Sequence, residues 1–112
     1  MNASQPRDGV SEAYAVLASA PDMKVINPGG GDLAWSRRFK VCVKKMKSGD
    51  AAQIAAVLRD LSFRQRTQKL SKGEVRLLTV ARQQLIEILA AQAELEESDV
   101  VALVDSALAR PD

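Results

Sequence analysis

The chain has 112 residues, 46% of them apolar and only 4% aromatic, and a net charge of +2; this is one domain by size, with an aliphatic, alanine-rich core that suits packed helices better than a β-sandwich. There is no histidine and one cysteine, which removes His-based triads, most zinc sites and any internal disulfide. No apolar run is long enough to span a membrane and residues 1–8 lack the apolar segment of a secretion signal, so a cytoplasmic location is expected.

The small net charge hides a segregated one. Residues 35–82 carry thirteen Lys/Arg against three Asp/Glu, a local +10, while residues 1–34 sum to −2 and residues 83–112 to −6. A basic middle with an acidic tail suggests an anionic partner, nucleic acid in particular, more than the overall charge does.

In chain order, residues 1–8 are polar and expected to be disordered. Residues 9–110 are read as a single helical domain. Asp8 or Ser11 can cap a short helix through Ala18 with Val10, Tyr14 and Leu17 inward, stopped by Pro21. From residue 20 to residue 33 the chain turns rich in Gly and Pro and reads as a flexible loop, without the Gly-Lys-Ser/Thr of a phosphate loop. Asp32 can cap a helix over about 33–47. In it Trp35, Phe39, Cys42 and Met46 form one apolar stripe, and Arg37, Arg38, Lys40, Lys44, Lys45 and Lys47 cover the rest.

Gly49 and Asp50 then stop one helix and start the next, which runs over about 51–66 with Ala51, Ile54, Ala55, Leu58 and Leu61 inward. Ser71-Lys-Gly-Glu74 is a capping box that opens a long helix to about Ala93, with Leu77, Leu78, Ala81, Leu85, Ile88 and Leu89 inward. Glu96 to Asp99 open a last helix with Val100, Leu103, Val104, Ala107 and Leu108 inward, and acids at its start where the helix dipole favours them. The expected fold is therefore all-α: a compact bundle of about five helices joined by short turns.

No constellation of nucleophile, base and orienting group is present, so no enzyme, cofactor or metal site is expected. Cys42 lies on the apolar stripe, where a buried and inert thiol is the default. The cations carry more information. Arg64, Arg66, Lys69 and Lys72 gather where one helix ends and the capped start of the next offers backbone amides, and Arg76 follows one turn later. Two readings of this set stand side by side: a solvated helix face, or a phosphate-binding surface. Trp35 likewise has two. Spacing continues the core stripe through it, while its place beside Arg37 and Arg38 suits an exposed aromatic that stacks on or inserts between bases.

The blocks Trp35-Ser-Arg-Arg-Phe-Lys40, Lys47-Ser-Gly-Asp50, Val57-Leu-Arg-Asp-Leu61, Leu70-Ser-Lys-Gly-Glu-Val-Arg76 and Ala81-Arg82 resemble, in order and spacing, the C-terminal domain of the CarD family of bacterial transcription regulators. The resemblance covers about residues 9–109. It implies a helical bundle whose basic face lies on promoter DNA. A tryptophan, here Trp35, wedges into the minor groove at the upstream edge of the −10 bubble and hinders its collapse. The family's backbone contacts match Arg37, Arg38 and Lys40; the cationic set read from the sequence adds Lys44, Arg64, Lys72 and Arg76. The family's Tudor-like domain binds RNA polymerase, and the 34 residues before Trp35 show no alternating strands for it. Tethering to the polymerase holoenzyme is therefore expected through a domain outside this chain, which is expected to act as a monomer. Val75 and Val80 stand where the family's basic face leads one to expect lysines. Together with the long Gly-rich loop before the tryptophan, they motivate an alternative: a helical protein–protein interaction module without DNA binding.

Overall fold

Local capping chemistry sets several of the helix boundaries. The structure, a computed structural model, describes the backbone of residues 6–26 and 34–109 and the side chains of residues 9–26 and 36–109. Its helices are α1 (Pro6–Ala18), α2 (Met23–Ile26), α3 (Ala34–Lys47), α4 (Ala51–Thr67), α5 (Lys72–Ala93) and α6 (Glu97–Leu108). Among the described residues there is no strand. The fold is all-α, as expected.

α1 begins at Pro6, ahead of both expected caps; the fixed φ of proline and its missing N–H are tolerated in a first turn. Gly49 adopts φ +71° after α3, the left-handed conformation that costs glycine nothing. Asp50 then caps α4, its side chain accepting from the Gln53 amide at 3.2 Å. At α5 both arms of the capping box form: Ser71 Oγ accepts from the Glu74 amide at 3.2 Å, and Glu74 Oε1 accepts from the Ser71 amide at 3.0 Å.

α1 packs against α4, α4 against α5, and α6 against α1 and α5; α3 contacts both α4 and α5. The core is aliphatic. Ala13 and Leu17 of α1, Ile54, Ala55, Val57, Leu58 and Leu61 of α4, Ala81, Leu85 and Leu89 of α5, and Val100 and Val104 of α6 are all buried in it. Periodicity identified most of these positions.

Two expectations are corrected. The flexible loop over 20–33 contains a helical turn: Val25 and Ile26 are buried, and Asp22 caps α2 by accepting from the Lys24 amide at 3.0 Å. The Asp22 amide is in turn held by Asp60 Oδ1 at 3.0 Å. Two large apolar side chains therefore outweigh the Pro/Gly composition around them. In α6, Leu103 points outward and is 46% exposed. At about 100° per residue the stripe formed by Val100, Val104 and Leu108 is centred about 100° away from Leu103. The expected Asp32 cap, Gly29 to Gly31 and the first five residues lie outside the described residues.

Candidate nucleic-acid interface

Two of the three acids in the basic segment turn inward, and the third is used as a cap. The three are Asp50, Asp60 and Glu74. Asp50 caps α4. Asp60 is 1% exposed and takes Arg59 Nε at 2.7 Å and Nη2 at 3.2 Å. Glu74 is fully buried and receives both Nε and Nη2 of Arg38, the latter at 3.0 Å. Burial alone pushes the Glu74 carboxyl up, but the hydrogen bonds from Arg38 and Ser71 outweigh it and leave the pKa below its ordinary value.

This arrangement divides the expected site residues. Arg38 is only 4% exposed and the Nε/Nη2 edge of its guanidinium faces Glu74, so it belongs to the scaffold and not to the exposed cationic surface. The physical reason is helical position: Arg38 lies four residues before Cys42, on the inward stripe. Arg64 is half-buried and donates to the Ile26 carbonyl at 3.3 Å, tying α4 to the end of α2. Its pKa is lowered first by burial and then by the nearby Arg38 charge, while Glu74 raises it. Arg38, Arg64 and Glu74 thus form one charged knot drawn from α3, α4 and α5.

The other expected residues are exposed: Arg37, Lys40 and Lys44 on α3, and Lys72 and Arg76 on α5. Arg37, Lys40 and Lys44 fall three and four residues apart, and so share one side of α3. Lys40, Lys44 and Lys47 line a shallow groove floored by Phe39 and Val43. Lys69, Lys72 and Arg76 line a second one with Leu70, Val75, Thr79 and Val80. The grooves adjoin where α3 meets α5: a Cβ built at Gly73, next to Lys72, would lie 3.4 Å from the Phe39 ring. The remaining cations are largely engaged. Arg82 reaches Asp105 at 2.8 Å, and Arg66 lies over the Phe63 ring at 5.9 Å from its centroid. Trp35 is in the first turn of α3, one turn before Arg38; its side chain is outside the described residues.

Cys42 is fully buried, and burial first, with Asp60 and Glu74 adding, pushes its thiol up to about 11. A thiol protonated at neutral pH is a poor nucleophile. The folded domain should leave Cys42 unlabelled by a thiol-specific disulfide reagent at pH 8, and label it stoichiometrically once unfolded in urea. Among the described residues no cluster of three His, Cys, Asp or Glu side chains is placed to hold a metal ion, and no helix is long and apolar enough to cross a membrane.

The model of the family described as "CarD, C-terminal domain" matches residues 29–105, more than half of the chain. The chain belongs to the CarD family. The match runs from the approach to α3 through most of α6 and contains every exposed cation of the two grooves. CarD-family domains are transcription-regulator domains, and the family is tied to RNA polymerase. In this CarD-type domain α1 precedes the matched segment yet buries Ala13 and Leu17 in the same core.

Proposed function

We propose that this CarD-type domain binds promoter DNA through the face built by α3 and the start of α5, with Trp35 as a wedge in the minor groove at the upstream edge of the −10 bubble. Arg37, Lys40, Lys44, Lys72 and Arg76 hold the phosphate backbone. The observation that carries this reading is the separation of charge: the segment's acids are used for caps and internal pairs, while Arg37 on α3 and the groove-lining Lys40, Lys44, Lys72 and Arg76 stay exposed. Such a surface gains affinity by releasing counterions from phosphates and carries little sequence preference. The wedge adds preference for melted DNA. Unstacking a base step costs a few kcal/mol in duplex, and an already open junction has met part of that cost. Binding then favours the open polymerase complex by differential affinity. The domain does this as a monomer, tethered to RNA polymerase by contacts other than those of this helical bundle.

Trp35→Ala tests the wedge. An aromatic–base stack is worth about 1–3 kcal/mol, so affinity for a forked template should fall about tenfold while affinity for the matched duplex changes far less. Equal losses on both templates would contradict the wedge. A second reading has its own observation: Val75 and Val80, 43% and 40% exposed, give the α5 groove an apolar floor suited to a protein partner. On that reading Val75→Lys leaves DNA affinity unchanged; on the DNA reading the added cation raises it.

A further inference from the structure

We propose that the Arg38–Glu74 pair is the strut that fixes α3 against α5, making Arg38 a positioning residue for the wedge helix and for the two cationic rows. The DNA part of this inference rests on the reading above; the positioning of α3 does not.

Three observations support it. First, α3 has few other anchors: of its described side chains only Arg38 and Cys42 are buried, whereas Phe39, Val43 and Met46 are half-covered. Cys42 supplies one small apolar contact, which resists separation of the helices but resists sliding and rotation weakly. A guanidinium that meets a carboxylate through two nitrogens fixes direction as well as distance.

Second, the carboxylate is itself immobilised. Glu74 Oε1 also accepts the Ser71 amide, and the Glu74 amide is held by Ser71 Oγ. The residue that caps α5 therefore sets the place of α3, and the two functions share one side chain.

Third, the strut joins the two cationic rows. Arg38 is one turn after Trp35 and two residues before Lys40; Glu74 has Lys72 and Arg76 two residues to either side. A loss of the strut changes the spacing between the α3 and α5 cations without deleting any of them.

The test uses Glu74→Gln, which keeps the capping acceptor, since glutamine serves at the same box position, but removes the charge that holds Arg38. The double variant Arg38→Gln/Glu74→Gln leaves no unpaired buried charge and covers the case in which the single variant does not fold. Two quantities are read on each: amide hydrogen exchange of α3 against α4 in the free domain, and binding to forked and duplex DNA across a KCl series. The strut predicts exchange about tenfold faster in α3, with α4 unchanged. It also predicts a forked-over-duplex preference reduced about threefold or more, and a salt slope equal to wild type because no phosphate contact is lost. Wild-type exchange in α3 would overturn the inference. So would a salt slope reduced by about 0.9 in the double variant, which would make Arg38 a phosphate ligand. If the wild-type domain binds no DNA, the DNA reading fails while the exchange data still decide whether the pair positions α3.

Discussion

Glu74→Ala is expected to destabilise the domain by about 3–5 kcal/mol, the range for removing one partner of a buried ion pair. The loss has two sources. The Arg38 guanidinium, 4% exposed, is left charged without its partner, and the Ser71 amide loses its acceptor at the start of α5. Breaking the pair costs far more than the pair contributes, because an unpaired buried charge keeps its desolvation penalty. Arg38→Met/Glu74→Gln should therefore be less damaging than Glu74→Ala alone: it leaves no buried charge and retains the cap. Urea unfolding midpoints measure both. Acid adds an independent check. Glu74 has a folded pKa below the ordinary 4.5, despite burial, through its hydrogen bonds from Arg38 and Ser71. A carboxyl depressed in the folded state contributes stability above its unfolded pKa and loses it as pH falls through the folded one. Wild-type stability should thus decline on acidification below about pH 4.5 more steeply than that of Glu74→Gln.

Lys40→Ala/Lys44→Ala is expected to weaken DNA binding about sixtyfold at 0.1 M monovalent salt. Each phosphate contact contributes about 0.9 to the slope of log affinity against log salt, so each is worth about 0.9 log units between 1 M and 0.1 M. Two lost contacts give about 1.8 log units, with the slope shallower by the same amount and little difference at 1 M. Both lysines are exposed on α3 and line the groove with Phe39 and Val43, so their removal should leave unfolding midpoints close to wild type. Lys40→Glu should weaken forked and duplex binding alike, in contrast to the template-selective effect of Trp35→Ala. Fluorescence anisotropy with labelled forked and duplex oligonucleotides over a KCl series measures each.

The bundle was legible in the sequence because its helices are locally specified. Asp50, Ser71 and Glu74 mark helix starts, Gly49 marks a stop, and aliphatic residues at helical spacing mark the inner faces. α2 was less visible: a four-residue helix has no periodicity, and its Asp22 cap is held by Asp60, 38 residues away. Leu103 shows a related limit. One apolar residue beside a stripe does not tell where the stripe is centred; the contacts of α6 with α1 and α5 do.

At the site, the exposed cations Arg37, Lys40, Lys44, Lys72 and Arg76 followed from composition and spacing. Arg38 did not, although a signal for it was present. It occupies an inward position between Trp35 and Cys42, and the segment offers only three acids to meet it. A cation on the core side of an amphipathic helix implies a buried carboxylate partner. Glu74 looked sufficiently explained as a cap, and its second role needs the approach of α3 to α5, which no local pattern encodes. The tie from Arg64 to the Ile26 carbonyl was hidden for the same reason, since it ends in a stretch that read as loop.

The central claim is that the α3/α5 face is a phosphate-binding surface, and the salt dependence of DNA affinity tests it most directly. With five exposed cations engaged, the slope of log affinity against log KCl for the wild-type domain approaches about −4.5. An affinity that does not change between low and physiological ionic strength would contradict it.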